Sequence, residues 1–133
     1  MVPLNHQQWI DKRQLFLPTI VVVDMCAMWC VSCIERSPEM VKMYDQYNKD
    51  KVVFVSMNLD DREDLESLAA AEKFLMSMSA QFDHYRMNEH LMTTFEKTNL
   101  IGIPAILIYD QKGKERYRLT GDNPNKQFTE HDI

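Results

Sequence analysis

The sequence has 133 residues, 45% of them hydrophobic and 26% charged, which suits one globular domain with a single core over residues 1–133. The formal net charge is -5, and the lysines and arginines are scattered, which argues against binding to nucleic acid or to an anionic membrane surface. Three cysteines are too few for a disulfide scaffold, so they indicate redox chemistry, a metal site or burial.

The apolar runs are short. The run Ile20–Val23 is far too short to cross a bilayer, and the N-terminal MVPLNHQQ lacks the positive charge that begins a signal peptide. We therefore expect no membrane insertion by this chain, and export cannot be read from it.

The first half of the chain predicts a helix, a strand and a second helix. Apolar residues at helical spacing indicate a helix over Asn5–Phe16, which Pro18 closes because proline disfavours the helical conformation in the residue before it. Thr19–Met25 is a continuous β-branched run, typical of a strand covered on both faces. Cys33–Asn48 has the spacing of an amphipathic helix, with Pro38 expected to kink it.

The middle of the chain continues the alternation. Val52–Met57 predicts a second buried strand, after which Asp61 can cap a helix. The expected apolar stripe of that helix consists of Leu65, Leu68, Ala69, Leu75 and Met76. Phe82–Met87 is a weaker strand candidate, and Asn88–Lys97 predicts a short helix. That helix is expected to bury Leu91, Met92 and Phe95.

The last third predicts a β-hairpin. Ala105–Tyr109 predicts a buried strand. Lys114–Leu119 alternates between apolar and polar residues, which is typical of an edge strand with one solvent-exposed face. A D-x-x-G turn lies between the two strands. The whole order of elements predicts an α/β fold with a mixed central sheet flanked by helices on both faces.

Residues 26–33 read CAMWCVSC and allow two interpretations. Counted from Cys26, the spacing C-x3-C-x2-C could supply three thiolates to an iron–sulfur cluster. Counted from Cys30, it is a tryptophan followed by C-x-x-C, which suits one reversible disulfide. The cluster enzymes need a much larger barrel around the cluster, so this short chain favours the disulfide and a buried, apolar role for Cys26. Structural zinc needs four ligands, and only one C-x-x-C pair is present.

The C-x-x-C pair at the start of a helix has a physical use. Cys30 lies over unpaired backbone N–H groups and the positive end of the helix dipole, which lower the pKa of its thiol from about 8.5 towards 7. Cys33 lies one turn inside the helix, shielded, and can attack Cys30 to resolve a mixed disulfide. We therefore predict Cys30 as the nucleophile and Cys33 as the resolving thiol.

Three features together resemble the thioredoxin superfamily: VDMCAMWCVSC, Pro38 five residues after Cys33, and G-I-P at 102–104. The long segment between Asp60 and Lys97, with its inserted helix and weak strand, and the E-x-x-P in CIERSP resemble the TlpA-like and ResA-like thiol-disulfide oxidoreductases. The resemblance runs from about residue 18 to residue 121. It implies a thioredoxin-like fold whose final helix is cut short at FTEHDI.

The resemblance also implies roles for single residues. Pro104 matches the cis-proline that faces the active-site disulfide, and the Ile103 backbone would pair with an extended substrate peptide. Asp24 matches the buried acid that relays a proton to or from the resolving thiol, with a satisfied polar group at a strand end as the alternative. Trp29 would form a wall of the active site. Ser56 stands where many thioredoxins have a lysine beside the buried acid.

The function expected from these residues is that of an enzyme, a dithiol–disulfide oxidoreductase acting on protein disulfides, favoured as a reductase. It would need no cofactor or metal, and an upstream thiol partner would supply electrons. The alternative is a thioredoxin-fold copper chaperone that holds Cu(I) through the same thiols. A soft-ligand set near the middle of the chain bears on that alternative: His84, Met87, His90 and Met92. The resemblance favours the cell envelope or periplasm, as a mature or excised domain, with the cytoplasm as the other compartment.

Overall fold

The computed structural model of this protein describes residues 1–47, 52–78, 82–100 and 102–120. In those ranges the chain forms six strands and four helices. They are β1 (Val2–Leu4), α1 (His6–Gln14), β2 (Ile20–Cys26), α2 (Val31–Tyr47), β3 (Val52–Asn58), α3 (Leu65–Ser77), β4 (Asp83–Met87), α4 (Leu91–Thr98), β5 (Ala105–Tyr109) and β6 (Glu115–Thr120).

The strands form one mixed sheet in the order β1-β4-β3-β2-β5-β6. The first four strands in that order run parallel, and β5 and β6 are antiparallel to their neighbours. The carboxyl ends of β2, β3 and β4 therefore share one edge of the sheet with the start of β5. The predicted mixed sheet is confirmed.

Apolar side chains cover both faces of the sheet. Along β2, Val21, Val23 and Met25 join one buried cluster, in which Trp9 of α1 takes part and against which Phe95 of α4 packs. A second cluster joins strand residues, two methionines of α2 and the residue that precedes β4; its members are Val22, Met40, Met43, Phe54, Phe82 and Ile106. Helices thus lie on both faces, because side chains of a strand alternate between them.

Strand β1 has no counterpart in the sequence-based prediction. Its three residues, Val-Pro-Leu, are too few to show a pattern, and they become a strand by pairing with β4, with Val2 opposite Tyr85. Pro3 is tolerated there because β1 is an edge strand. The predicted weak strand over 82–87 is confirmed as β4.

The starts of two helices differ from the prediction. Helix α3 is capped by Asp64, whose side chain accepts from the Ser67 N–H, because the Asp61 carboxylate instead accepts from the Glu63 N–H within the preceding turn at 2.9 Å. Helix α4 follows His90 and not Asn88. The predicted stripes are wrong in part, since four of their members are exposed: Leu65, Ala69, Met76 and Met92.

The hairpin forms as predicted. The Asp110 carboxylate accepts from the backbone N–H groups of Lys112 and Lys114 at 2.9 and 3.0 Å. Gly113 has a positive φ of 81°, which a residue with a Cβ adopts only with strain. Pro38 lies inside α2 as expected. The segment FTEHDI, where the resemblance implies a final helix cut short, lies outside the described residues. None of the described helices combines the length and apolar character needed to cross a bilayer.

Candidate active site

The C-x-x-C pair lies between β2 and α2. Strand β2 ends at Cys26 and α2 begins at Val31, so Cys30 directly precedes the helix. The Cys30 N–H donates to the Ala27 carbonyl at 3.1 Å, and the Cys30 carbonyl accepts from the Ile34 N–H at 3.2 Å. These two bonds close the turn and begin the helix, as the sequence predicts.

A disulfide joins Cys30 and Cys33, with a Cα–Cα distance of 5.3 Å. The Cys33 backbone N–H donates to Cys30 Sγ at 3.2 Å, which is the contact that stabilises a thiolate at a helix start once the disulfide is reduced. The Cys30 side chain is 7% exposed and Cys33 is 2% exposed. Cys33 Sγ lies 3.9 Å from the Met25 carbonyl oxygen. Cys30 is therefore the more accessible of the two sulfurs.

Apolar groups flank the disulfide. Trp29 is 53% exposed although it is a large aromatic residue, and Val31 is also exposed. The Ile103–Pro104 peptide bond is cis, as the resemblance implies; the Leu17–Pro18 bond is cis as well, which the sequence did not predict. Ala105 pairs with Met25, so Pro104 lies at the sheet edge that carries the cysteines.

Asp24 lies on β2 and faces a small cavity. Burial raises the pKa of its carboxyl to about 7, although the residue as a whole is partly exposed. The cavity has a volume of about 30 Å³. Its polar lining comes from five residues of β2, β3 and α2: Asp24, Cys26, Ser37, Ser56 and Asn58. An acid in this state can take up or release a proton near neutral pH.

Cys26 is a free thiol in the same cavity. Burial and the negative charge of Asp24 raise the pKa of this thiol above its ordinary value, and a hydrogen bond with Ser37 offsets only part of that effect. A thiol that stays protonated is a poor nucleophile and a poor metal ligand. Cys26 is only partly buried, so the predicted burial of this side chain is met in part.

Asp60 and Asn58 are part of the site and were missed by the sequence analysis. The Asp60 side chain is 1% exposed, and its carboxylate accepts from the Met28 N–H at 3.0 Å and from the Asn58 amide at 2.8 Å. The Asp60 N–H donates to Asn58 Oδ1 at 2.9 Å. These bonds fix the loop two residues before Cys30. The available signal was N-x-D at the carboxyl end of β3.

The four side chains of the soft-ligand set do not lie together at one site. Met87 is buried in the cluster that contains Trp9, while Met92 is exposed. His84 lies on the other face of β4, where its Nδ1 is 2.6 Å from Ser56 Oγ, and His90 contacts Arg62. Within the described ranges, one group of three side chains has potential metal-ligating atoms within 4.8 Å of one another, namely Asp61, Glu63 and His90. Glu63 and His90 are exposed and Asp61 is partly exposed, and the group lies apart from the cysteines in sequence.

Comparison with known proteins agrees with this geometry. Residues 11–131 match the sequence family described as "Thioredoxin-like domain". The chain is 26% identical over 110 residues to "Thioredoxin-like protein HCF164, chloroplastic" of Arabidopsis thaliana, and equally to the rice protein of that name. The match covers 83% of this chain and 31% of each relative, so the chain spans about a third of the length of these relatives.

Solved structures share the fold. A putative thiol:disulfide interchange protein DsbE from Chlorobium tepidum superposes with a TM-score of 0.67 at 25% identity, over 84% of this chain and 74% of that one. StoA from Bacillus subtilis gives a TM-score of 0.67 at 18% identity, over 87% and 80% of the two chains. The latter shows the fold alone.

Proposed function

Because this chain belongs to the thioredoxin-like domain family, we propose that its Cys30–Cys33 pair reduces disulfides in other proteins. The chain is a thiol–disulfide oxidoreductase of the thioredoxin-like type. The proposal covers the direction of electron flow, the role of each residue and the partners. We also propose that residues 1–133 form one domain.

The observation that carries the residue roles is the bond from the Cys33 N–H to Cys30 Sγ. In the reduced protein it favours the Cys30 thiolate, which attacks one sulfur of a substrate disulfide. An S–S bond forms between Cys30 and that sulfur, and the other substrate sulfur leaves as a thiolate. Cys33 then loses its proton and attacks Cys30 Sγ, which releases the second substrate thiolate. Two electrons have passed to the substrate, and the protein holds the Cys30–Cys33 disulfide.

Asp24 is proposed as the base that takes the Cys33 proton in the second step. It lies on the strand whose Met25 carbonyl is 3.9 Å from Cys33 Sγ, and its pKa of about 7 suits proton transfer in both directions. Trp29 and the Ile103–Pro104 segment are proposed to hold the substrate. The exposed indole offers an apolar wall, and the Ile103 backbone offers polar groups to an extended peptide.

The proposed partners are protein disulfides as substrates and an upstream dithiol protein that reduces the Cys30–Cys33 disulfide. For the compartment we propose the cell envelope or periplasm. Support comes from the similar proteins, of which one is named as chloroplastic and another as a secreted disulfide oxidoreductase from Mycobacterium tuberculosis. The copper alternative is not favoured, since the soft-ligand set is divided between surfaces.

The roles of the two thiols are tested by trapping. Cys33→Ser should accumulate a mixed disulfide with a peptide substrate through Cys30, because the resolving thiol is gone, whereas Cys30→Ser should not. Mass spectrometry of quenched reactions measures the adduct, and Cys26→Ser serves as the matched cysteine control. Faster alkylation of Cys33 than of Cys30 in the reduced protein at neutral pH would contradict the assignment.

A further inference from the structure

Three side chains on adjacent strands form a row across the sheet. Asp24 of β2 pairs with Ser56 of β3, and Ser56 pairs with His84 of β4. Paired residues on neighbouring strands point to the same face. The row therefore begins at Asp24, which shares a cavity with Cys26, and ends two strands away at His84.

One hydrogen bond and one shared cavity connect the three side chains of the row. Ser56 Oγ lies 2.6 Å from Nδ1 of His84, which is a short hydrogen bond. Asp24 and Ser56 line the same cavity of about 30 Å³, which is large enough for one water molecule with polar partners. A hydroxyl can accept one hydrogen bond while it donates another. Ser56 can thus pass a proton from the Asp24 side to the imidazole.

The two ends of the row, Asp24 and His84, are partly exposed, and Ser56 between them is buried. The His84 ring packs against Phe82 with the ring centroids 4.8 Å apart. Imidazole takes up and releases protons near neutral pH. In many thioredoxins a lysine accompanies the buried acid, and Ser56 holds that position here.

We propose that Ser56 and His84 form the proton path between Asp24 and the protein surface. The proposal rests on the proposed role of Asp24 as the base for Cys33. Asp24 gains one proton from Cys33 in each reduction. That proton passes through a cavity water and the Ser56 hydroxyl to Nδ1 of His84, and the imidazolium then gives one proton to solvent. The Asp24 carboxylate is restored, and exchange of the imidazole between its two neutral tautomers returns Nδ1 to its unprotonated form before the next cycle.

Several other ionisable groups lie near the row. Cys26 is two residues beyond Asp24, and Arg86 is two residues beyond His84, so both face the same side of the sheet. Glu72 of α3 interacts electrostatically with Arg86, and Tyr44 of α2 contacts the Phe82 ring. The α3 residues that line the cavity are apolar, namely Ala71, Phe74 and Leu75. Among these groups, the hydrogen bond to Ser56 distinguishes His84.

The test separates the two thiol steps in one trace. The reduced protein in a Cys26→Ala background is mixed with a chromogenic aromatic disulfide, and the two released thiolates are followed by absorbance. The first phase reports attack by Cys30, and the second reports resolution by Cys33. We expect Ser56→Ala and His84→Gln each to slow the second phase by about tenfold or more at pH 7, with the first phase unchanged.

Matched variants exclude a merely structural effect. Ser56→Thr keeps the hydroxyl and should keep the rate of the second phase. His90→Gln removes an exposed histidine that contacts Arg62 and should change neither phase. Adding His84→Gln to Asp24→Asn should slow the second phase no further than Asp24→Asn alone, because both lie on one path.

Each contrary outcome has a distinct meaning. If Asp24→Asn slows the second phase but Ser56→Ala and His84→Gln do not, the proton path is overturned and the role of Asp24 stands. If Asp24→Asn has no effect, both are overturned. If the wild-type protein shows no second phase, the proposed disulfide chemistry itself fails.

Discussion

The Asp24 carboxyl makes the stability of this protein depend on pH in a predictable direction. Its pKa is raised from 3.8 to about 7 by burial, so the folded state favours the protonated form. The contribution of Asp24 to stability is therefore complete below pH 4 and is lost as the pH rises towards 7. Asn cannot ionise, and Asp24→Asn should remove this dependence.

The magnitude follows from the two pKa values. Between pH 5 and 7 the unfolded chain is deprotonated at this position while the folded chain is still protonated. The free energy of unfolding therefore falls by about 1.4 kcal/mol for each pH unit in this range. The free energy of unfolding of the wild-type protein should thus fall by about 2.5–3 kcal/mol relative to Asp24→Asn between pH 5 and 8. Above pH 7 the difference levels off.

Urea unfolding of the oxidised proteins at several pH values from 5 to 8 measures this difference, and the closed disulfide keeps Cys30 and Cys33 from titrating. Asp61→Asn is the control. The backbone N–H of Glu63 donates to Asp61 and lowers the pKa of that carboxyl. Asp61 therefore loses its contribution to stability only below pH 4. Between pH 5 and 8 the plot of unfolding free energy against pH for Asp61→Asn should run parallel to that of the wild type. Parallel curves for Asp24→Asn and the wild type would refute the burial argument.

Two further variants test the surroundings of the cysteines. Cys26→Ala should keep most of the disulfide reductase activity, measured with a peptide disulfide, and anaerobically prepared wild-type protein should be colourless; a brown colour that depends on Cys26 would restore the cluster interpretation. Asp60→Ala should lower the free energy of unfolding in urea by about 2–3 kcal/mol, because the Met28 N–H and the Asn58 amide lose their buried acceptor, whereas Asp45→Ala on the exposed surface of α2 should change it by less than about 0.5 kcal/mol. Equal losses for these two variants would contradict the role of Asp60.

The elements next to the cysteines could be predicted because their signals are local. A β-branched run followed by W-C-x-x-C and an amphipathic pattern is enough to place β2, the turn and α2. The hairpin could be predicted for the same reason, since the residues that form its turn, Asp110 and Gly113, lie within a stretch of five residues. In each case the residues that form the element also stabilise it.

The parts that were missed depend on contacts between distant residues. β1 becomes a strand only because it pairs with β4, in which each partner lies 83 residues later in the chain, as in Val2 with Tyr85. The buried carboxylate of Asp60 has its partner Met28 thirty-two residues away. In the sequence, an acidic residue followed by other acidic residues indicates a solvent-exposed turn. His84 meets Ser56 through strand register, which the sequence did not specify.

The position of β2 inside the sheet has a consequence for how the protein opens. All seven residues of β2 pair with β3, and five of them also pair with β5. Partial opening of a protein begins where few neighbours hold the backbone, as at the three-residue strand β1 on the sheet margin. Fraying at that margin can expose the chain to proteases while Asp24 and the loop to Cys30 keep their geometry. Proteolytic sensitivity and redox competence are thus separable properties of this fold.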